Sequence, residues 1–578
     1  MSGERSTREF EGTGAEILVE CLIQADAGPI FGVPGDTGVT FYDALYGRRD
    51  AIQHVLARDE RHAAFMADAY TRASNRVGVV EASSGGGVTF LVGGLGEPWA
   101  SSVPLLVLTT DIHRRSRNTG ALTEIDQTKL FSAVTKWQAT IDAAADIPRA
   151  VCDALCAATT GRPAPVSLVI PEDVMDERAR VILPAMSVQV PGERLPADPD
   201  TVARAANALR AAHRPAIVAG SGVHLSGAWE ELSRLASAWG IPVATSIHGK
   251  GALAESSPWS LGVAGANGAR DYANDYLAAA DAVLFVGTRA NATDTNSFKS
   301  PPRSATVMHI DIDAERAGRN YPGSIALIGD AQTVLRQLMD ALGEPDETRS
   351  DEIRGWIAER RRAWEEASLA PAPVDDPALL HPRDVVRAIQ RLAGPNALIL
   401  GEPGTATPNI ASYWETAGGE RSVIIPRGHG PMGYVIPGAI GAAFAHPGRA
   451  IIGLTGDGSF AMACGELETA ARFNLPIVYV QFSNGSLGWI KMLQHLYTEQ
   501  RYFGVDFGSI AAVKVAEGMG VAAHRATSLD DLVAALEAAL ARRGPTYIDV
   551  PVPDEIHLTP PVAPWQETLT KKAGRQAY

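Results

Sequence analysis

The 578-residue sequence has little cysteine, few aromatic residues and no long apolar segment. Its four cysteines form no closely spaced metal-binding pair, which predicts the reduced thiols of a cytoplasmic protein rather than a disulfide framework. No run reaches the roughly 20 apolar residues of a membrane helix, and residues 1–12 are too polar for a signal peptide. The 51 basic residues are outnumbered by 66 acidic ones, and the net charge of −15 argues against binding to nucleic acid or anionic membranes.

Apolar residues are plentiful, at 46% of the chain, and can supply several hydrophobic cores. The length suits about three domains of ordinary size. Proline-marked sequence at 184–199 predicts one linker, and a charged, helix-prone stretch at 351–367 followed by proline-rich residues 371–377 predicts another. The predicted division is three domains at 1–185, 200–345 and 381–555, followed by a polar, mobile tail at 556–578.

Each predicted domain alternates short apolar runs with helix-like segments. In the first domain, Ile30–Gly35 has the composition of a strand that enters a turn, Pro104–Thr109 has that of a buried strand, and 58–72 has the periodicity of an amphipathic helix. Similar runs occur at Ala282–Gly287 and Ala450–Thr455 in the later domains. Because such alternation is typical of strands joined by crossover helices, we predict an α/β fold with three doubly wound parallel sheets.

The stretch Gly456–Asn484 carries the most specific pattern. Gly-Asp-Gly-Ser at 456–459 follows one apolar run, a helix-like segment comes next, and a second apolar run ends at Ser483-Asn484. Because parallel strands joined by a helix end at the same edge of a sheet, we expect Asp457 and Asn484 to lie together. Two oxygen ligands beside glycine-exposed N–H groups suit a hard cation that holds a diphosphate. A tight turn without a ligand is the alternative, since Gly-Asp-Gly is common in turns.

Asp457 and Asn484 are 27 residues apart, and the stretch resembles the thiamine-diphosphate (ThDP) motif, which begins Gly-Asp-Gly and closes on Asn. The resemblance spans all three domains and points to the branch of acetolactate synthases, oxalyl-CoA decarboxylases and 2-hydroxyacyl-CoA lyases. It implies a pyrimidine-binding domain, a Rossmann-like middle domain and a diphosphate-binding domain, in that order. It also implies Mg²⁺ held by Asp457, Asn484 and the main-chain carbonyl of Ser486. Ser483 departs from the family's Asn-Asn ending.

The same family has a catalytic glutamate at the head of a helix in the first domain. Here the letters Arg-Asp-Glu-Arg-His-Ala at 58–63 match the family's Arg-His-Glu-Gln-Gly-Ala, which implies Glu60 as the acid beside the pyrimidine. Such an acid promotes ionisation at the thiazolium C2. Asp59, Arg61 and His62 depart from the pattern. A glutamate at this position also has an ordinary explanation, because acids favour the start of a helix.

Two glycine-rich segments resemble other parts of the family's cofactor site. Residues 428–441 match the loop and helix beneath the thiamine, which implies Met432 as the wedge that bends the cofactor and the Gly430 carbonyl as the partner of its 4′-amino group. Without a cofactor, this segment would be an ordinary glycine-rich helix start. Gly404 and Thr405 follow a predicted strand, where relatives hold the diphosphate. The implied cofactor-binding residues are Gly404, Thr405, Gly430, Met432, Gly456, Asp457, Gly458, Ser459, Asn484 and Ser486.

Departures from the family cluster where substrate would lie. Phe90 stands where relatives have Asn, Leu122-Thr123 where acetolactate synthases favour Phe-Gln, and Leu493 where they have Trp. A polar substrate against such walls would lose hydrogen bonds worth about 1–3 kcal/mol each. We therefore expect weak acetolactate formation from pyruvate alone and better turnover of substrates with larger apolar groups. The predicted pocket residues are Phe90, Leu122, His429, Leu487, Trp489 and Leu493.

The middle domain resembles nucleotide-holding domains of the same branch. Gly220–Gly222, His248–Gly251 and Gly287–Arg289 match segments that hold FAD in acetolactate synthases or ADP in oxalyl-CoA decarboxylases. A Gly-Ser-Gly turn after a strand is a weak signal by itself. Some relatives leave this domain empty, so FAD, ADP and no ligand all stay open.

The resemblance implies a ThDP- and Mg²⁺-dependent lyase or carboligase that acts on a 2-oxo acid. One alternative is a 2-hydroxyacyl-CoA lyase or oxalyl-CoA decarboxylase, whose CoA the basic tail could cover. Another is a non-catalytic ThDP-binding paralogue, against which the retention of Glu60, Asp457 and Asn484 argues. Relatives share each active site between subunits, which implies a homodimer or homotetramer. His62, His113 and His429 are candidate proton carriers, although lone histidines are more often structural or surface residues.

Overall fold

The computed structural model describes residues 7–268, 270–345, 350–369, 374, 376 and 378–571. These residues form three six-stranded sheets in which all neighbouring strands run parallel, and one two-stranded antiparallel sheet. Each six-stranded sheet lies within one of the three predicted domains. The predicted α/β fold with three parallel sheets is therefore confirmed.

The first domain is built around central strands that are apolar and almost entirely buried. Its strands are β1 (Arg8–Thr13), β2 (Ile30–Val33), β3 (His54–Leu56), β4 (Gly78–Ala82), β5 (Leu105–Asp111), β6 (Trp137–Thr140), β7 (Val166–Pro171) and β8 (Arg178–Leu183). Its helices are α1 (Gly14–Gln24), α2 (Val39–Gly47), α3 (Glu60–Ser74), α4 (Gly86–Ser101), α5 (Gln127–Phe131), α6 (Ile147–Thr159) and α7 (Glu172–Asp176). The sheet order is β3-β2-β4-β5-β7-β6, and β1 pairs with β8. The carboxyl ends of these strands therefore share one edge, from which α3 and α4 begin.

The middle domain repeats this construction. Its strands are β9 (Pro215–Ala219), β10 (Val243–Thr245), β11 (Ser260–Val263), β12 (Ala282–Val286), β13 (Thr306–Asp311) and β14 (Ile325–Ile328). Its helices are α8 (Pro199–Ala211), α9 (Ser221–Ser226), α10 (Trp229–Ala238), α11 (Asp271–Ala278), α12 (Ala331–Leu342) and α13 (Ser350–Leu369). The order β11-β10-β9-β12-β13-β14 reverses between β9 and β12, the position at which open α/β sheets bind ligands.

The third domain contains the Gly-Asp-Gly motif. Its strands are β15 (Leu398–Gly401), β16 (Val423–Ile424), β17 (Ile451–Gly456), β18 (Ile477–Ser483), β19 (Ala522–Arg525) and β20 (Thr546–Pro551), in the order β16-β15-β17-β18-β20-β19. Its helices are α14 (Pro382–Ala393), α15 (Ala406–Tyr413), α16 (Val435–Ala445), α17 (Asp457–Ala463), α18 (Glu466–Arg472), α19 (Gly488–Tyr497), α20 (Ala512–Gly518), α21 (Leu529–Ala541) and α22 (Ala563–Lys571). β17 and β18 are central neighbours, so their carboxyl ends meet.

Three sequence expectations are corrected. The charged stretch 351–367 is helical as expected but is not a linker, because Ile353 and Ile357 of α13 are buried in the core of the middle domain. The segment between β17 and β18 is two helices rather than one, and Met462 at the end of the first is 48% exposed. The tail is ordered as far as α22, whose Trp565 is fully buried, whereas residues 572–578 and most of the 371–377 linker lie outside the described residues.

The chain folds into two compact units. The first comprises the described residues of Met1–Glu193 with Pro426–Gly448 and Ala463–Leu475, and thus includes α16 and α18. The second comprises those of Arg194–Ile425, Arg449–Met462 and Pro476–Tyr578. Among the described helices, none combines the length and apolar character that a bilayer crossing requires.

Candidate functional site

The carboxylate of Asp457 ties together the carboxyl ends of β17 and β18. Its Oδ2 accepts hydrogen bonds from the backbone N–H groups of Asn484 (2.9 Å) and Gly485 (2.7 Å), and its Oδ1 accepts one from Gly458 (2.9 Å). The sequence prediction that Asp457 and Asn484 lie together is therefore confirmed. Gly456, at the end of β17, pairs in register with Phe482 of β18, which brings the two turns side by side.

The oxygen atoms around Asp457 suit a divalent cation. Asp457 is only 7% exposed, and burial raises the pKa of its carboxyl, so a nearby cation would offset the unfavourable burial of its charge. Asn484 Oδ1 accepts a hydrogen bond from the N–H of Ser486 at 3.1 Å. The three predicted ligand residues, Asp457, Asn484 and Ser486, are therefore joined by hydrogen bonds at the ends of β17 and β18. Their role in binding metal stays a prediction, as does that of the buried Ser459. In the described part of the chain, no three His, Cys, Asp or Glu side chains form a separate metal cluster.

A buried glutamate that the sequence did not single out lies beside the predicted diphosphate residues. Glu555 is fully buried, and Thr405 donates a hydrogen bond to its Oε2, whereas its Oε1 has no hydrogen-bond partner in the described part of the chain. Burial raises its pKa to about 7. A Cβ on Gly488 would lie 2.9 Å from Asn484 Nδ2 and 3.4 Å from Glu555 Oε2. An unpaired buried acceptor next to Thr405 and Asn484 fits a site that receives a cation or a polar ligand.

The loop before α15 supplies the other predicted diphosphate contacts. Gly404 has a φ of +129°, which only glycine adopts readily, and Thr405 stands at the N-cap of the helix. The hydroxyl of Thr405 is directed to Glu555, so it caps no backbone N–H of α15. The first N–H groups of a helix carry a partial positive charge, which suits a phosphate group.

Glu60 is the first residue of α3. Asp59 caps the helix by accepting a hydrogen bond from the N–H of Arg61 at 2.8 Å. Burial, assisted by the negative charges of Asp59 and Glu81, raises the pKa of the Glu60 carboxyl. Gly87 gives this carboxyl room, since a Cβ there would lie 3.1 Å from Glu60 Oε1. A half-buried acid that keeps its proton to higher pH is suited to donate a hydrogen bond to a ring nitrogen.

Behind Glu60, a second acid is buried within the strands of the first domain. Glu81 of β4 extends across Gly32 of β2, where a side chain would collide with it, and contacts the Tyr42 hydroxyl and His54 Nε2. The sequence did not single out Glu81, although a lone Glu in an otherwise apolar strand could have indicated a buried functional acid. The negative charge of Glu81 contributes, after burial, to the raised pKa of the Glu60 carboxyl.

The loop that precedes α16 contains the predicted pyrimidine contacts. Gly430 and Gly433 have φ values of +72° and +80°, so the tight path of this loop depends on glycine. Met432 lies between them and is half-buried, while the side chain of His429 is exposed. The His429 N–H donates to Glu97 at 2.7 Å, a contact that links this loop to α4. The sequence pattern did not predict this role of Glu97 either.

Two of the predicted pocket residues lie near the Ser84–Gly86 turn. Phe90, in the second turn of α4, is 62% exposed, and Leu122 is 83% exposed. The hydroxyl of Ser84 donates to that of Thr123 at 2.8 Å, and Thr123 has a φ of +65°, an unusual value for a β-branched residue. The structure thus brings the Leu122-Thr123 loop to the turn from which α4 begins.

The pocket residues predicted in the third domain have apolar neighbours. The Trp489 ring lies 4.2 Å from that of Trp565, and Leu493 packs against the same cluster. Leu487 is held by its N–H, which donates to the Val505 carbonyl at 2.7 Å. α22 therefore covers part of the surface that the sequence assigned to substrate, and lining by these three residues stays a prediction.

Two of the candidate proton carriers have structural partners. His62 is buried, with its Nδ1 3.1 Å from Glu466 Oε1, an oxygen that also accepts from the Arg58 N–H. His113 caps a 3-10 turn by accepting from the Arg115 N–H at 3.1 Å. These contacts favour the structural interpretation for both histidines.

In the middle domain, two of the predicted nucleotide-binding turns contact one another. The Gly222 N–H donates to the Gly287 carbonyl at 2.9 Å, at the reversal point between β9 and β12. Asn267, beyond β11, is 2% exposed, and neither its oxygen nor its nitrogen has a hydrogen-bond partner among the described residues. Lys250, from the His248–Gly251 segment, is fully buried in an ion pair with Glu255.

Three sequence families match this chain. Residues 12–130 match the thiamine pyrophosphate enzyme N-terminal TPP binding domain, residues 202–338 the central domain, and residues 402–550 the C-terminal TPP binding domain. Together with the three parallel sheets and the Gly-Asp-Gly turn, these matches place the chain in a known class. The chain belongs to the thiamine pyrophosphate enzymes, and the predicted cofactor, ThDP, is thereby confirmed.

Relatives of similar length carry the names of one branch of this family. The chain is 35% identical to a probable acetolactate synthase large subunit of Methanocaldococcus jannaschii, over 95% of this chain and 93% of that protein. It is 31% identical to an acetolactate synthase of Mycobacterium bovis, over 95% and 90% respectively. It is 30% identical to an acetolactate synthase large subunit of Pyropia yezoensis, over 96% and 94%. The resemblance found in the sequence therefore extends over nearly the whole chain.

Proposed function

We propose that this protein is a ThDP- and Mg²⁺-dependent carboligase that decarboxylates a 2-oxo acid and joins the remaining acyl unit to a carbonyl acceptor. The observation that carries the proposal is the Asp457 carboxylate bound to the turn of Asn484 and Gly485, in a chain that also retains Glu60 with a raised pKa. The names of the relatives support the same reaction class.

In this proposal, each predicted metal- and cofactor-binding residue has a specific role. ThDP, when bound, would supply a carbon nucleophile for the carbonyl group and take up the electron pair that stays behind when CO₂ leaves. Asp457, Asn484 and the Ser486 carbonyl hold Mg²⁺, and Gly404, Thr405, Gly458 and Ser459 bind the diphosphate. Glu60 would supply a proton to the pyrimidine ring, the Gly430 carbonyl would accept a hydrogen bond from the 4′-amino group of ThDP, and Met432 would support the thiamine.

We further propose a homodimer or homotetramer in which Glu60 of one subunit serves the metal site of its partner, as in the family that the chain resembles. The shortage of cysteine supports a cytoplasmic location, which cell fractionation would test. The acyl-CoA alternatives have less support, because the relatives share the acetolactate synthase name over more than nine-tenths of the chain.

The substrate is expected to be larger and more apolar than pyruvate. Phe90 and Leu122 are exposed apolar side chains next to the turn that begins α4, and each buried methylene contributes about 0.8 kcal/mol, or about fourfold in kcat/KM. We expect 2-oxo acids with longer side chains to exceed pyruvate by about that factor per methylene. The measurement is kcat/KM for CO₂ release and ligation across a panel of 2-oxo acids and 2-hydroxyacyl-CoA esters.

The Phe90→Asn variant should reduce this preference, since it replaces the ring with a polar group. Ile182→Asn is the matched control, because Ile182 is 65% exposed on the separate β1–β8 sheet. Pyruvate self-condensation with the highest kcat/KM of the panel would refute the apolar-pocket hypothesis and indicate an ordinary acetolactate synthase. Turnover of only the CoA esters would support the acyl-CoA alternative.

A nucleotide in the middle domain, FAD or ADP, is a further part of the proposal. The buried, unpartnered side chain of Asn267 and the sheet reversal at Gly220–Gly222 and Gly287 support a polar ligand there. The purified protein is expected to release a flavin absorbance on denaturation, or else to gain thermal stability with ADP. If the protein releases no flavin and gains no stability with ADP, the middle domain is empty.

A further inference from the structure

The carboxylate of Glu97 binds three consecutive backbone N–H groups of the loop that contains Gly430. Its Oε1 accepts from Gly428 at 3.1 Å, and its Oε2 accepts from His429 at 2.7 Å and Gly430 at 3.2 Å. Glu97 is in α4, 331 to 333 residues away in sequence, and is 1% exposed. A buried anion held by successive N–H groups is a strong anchor, because charge-assisted hydrogen bonds are about twice as strong as neutral ones.

The other partners of Glu97 hold it in place from within α3 and α4. Arg72 Nη2 donates to Oε1 at 3.0 Å, and the Ser101 hydroxyl donates to the same oxygen at 2.7 Å. Arg72 also pairs with Asp68, whose carboxylate accepts a hydrogen bond from the Tyr434 hydroxyl. The loop is therefore attached to the same buried charge network before and after Gly430.

This contact controls the direction of one carbonyl group. Once the N–H of Gly430 is fixed on Glu97, the two backbone rotations of Gly430 alone set its carbonyl. The first is fixed at a φ of +72°, and the second is restricted because Pro431 follows. Close packing leaves the loop little room to shift, since a Cβ on Gly428 would lie 2.4 Å from Ser101 Oγ and one on Gly96 would lie 2.6 Å from His429 Nδ1.

We propose that Glu97 is a positioning residue that, by binding the N–H groups of residues 428–430, directs the Gly430 carbonyl toward the amino group of the cofactor. This inference rests on the proposed function, in which Gly430 is the acceptor. A purely structural role, in which Glu97 only neutralises Arg72, is the competing explanation. The two differ in whether the loop and its cofactor chemistry change while the fold is kept.

The test uses Glu97→Gln, which keeps the shape of the side chain but places an NH₂ group against N–H donors. In the cofactor-free protein, hydrogen exchange of the amides at 428–430 should accelerate by about 10- to 100-fold. ThDP affinity, measured by calorimetry with Mg²⁺, should fall about 10-fold. At saturating ThDP, proton exchange at C2 should slow by about 10- to 100-fold, as expected for a displaced contact.

Glu20→Gln is the matched control, because Glu20 of α1 is 2% exposed and pairs with Arg8 and Arg48 rather than with the loop. Its rates of amide hydrogen exchange at 428–430 and of proton exchange at C2 of ThDP should stay within about threefold of the parent's. If Glu97→Gln does not fold, Glu97→Asp decides, since it keeps the charge opposite Arg72 but is too short to reach all three N–H groups, and it should show the same changes.

The possible outcomes separate the two proposals. A variant that melts like the parent and exchanges C2 at the parental rate would overturn the positioning role and leave the proposed function intact. A slowing of C2 exchange in Glu20→Gln as large as that in Glu97→Gln would indicate a general structural effect and also overturn the inference. A parent protein that binds no ThDP would overturn the proposed function, and this inference with it.

Discussion

The Glu60→Gln variant is expected to bind ThDP about as tightly as the parent and to exchange the C2 proton about 10²–10⁴-fold more slowly. The amide has the shape of the acid but cannot supply the proton that the pyrimidine ring requires. Its position at the start of α3 is held by the Asp59 cap, which the substitution does not touch. Deuterium exchange at C2, followed by proton NMR after acid quench, is the direct measurement.

The pH dependence of the same exchange gives a second signature. Burial and the charges of Asp59 and Glu81 raise the pKa of Glu60, so its protonated form persists above the ordinary range. Exchange in the parent should therefore decline as the pH rises through this raised pKa, and Glu60→Gln should lack that decline. A variant that exchanges as fast as the parent at every pH would refute the catalytic role of Glu60.

The Asp457→Ala variant is expected to lose ThDP and Mg²⁺ binding by at least about 100-fold, because a charged ligand is removed from a cation. It should stay folded. Three N–H groups, those of Gly458, Asn484 and Gly485, lose their acceptor, at a cost of about 1–3 kcal/mol each if they find no other partner. Calorimetry with Mg²⁺ and ThDP measures the affinity, and thermal melting measures the fold.

The control for this substitution is Asp530→Ala, an exposed acid of the same unit at the start of α21. It should bind metal and cofactor like the parent. Unchanged affinity in Asp457→Ala would contradict the assignment of the metal site.

Co-expression of Glu60→Gln with Asp457→Ala chains tests whether sites are shared between subunits. If they are shared, a mixed dimer regains one site with both residues intact. If each chain has its own site, no activity is regained.

Much of the fold follows from local sequence pattern. The predicted runs Ile30–Gly35 and Ala450–Thr455 are largely apolar because both faces of a parallel strand are covered, and they contain most of β2 and β17. The meeting of Asp457 and Asn484 was predictable for a related reason, since it depends only on two strand ends within a single crossover. Positive φ at Gly430 and Gly433 is likewise consistent with the glycine-rich spelling of that loop.

Contacts between residues far apart in sequence were not predictable in this way. Glu97 is a single acid in a largely apolar segment and Glu555 follows Asp554 after the last strand, and their partners lie 331 and 150 residues away. The charged face of α13 suggested a linker, because its buried residues, Ile353 and Ile357, are few. For α22, the polar composition concealed the single buried ring of Trp565. In each case one or two buried side chains determine the packing of a largely polar segment.

The central claim is that the chain uses ThDP and Mg²⁺ to decarboxylate a 2-oxo acid. The most direct test follows release of labelled CO₂ from 2-oxo acids carrying ¹³C at the carboxylate, with both cofactors, with each alone and with neither. The account predicts release and a ligated product only when both are present, with little of either in Asp457→Ala. No release from any 2-oxo acid by protein saturated with ThDP and Mg²⁺, or equal release without them, would contradict it.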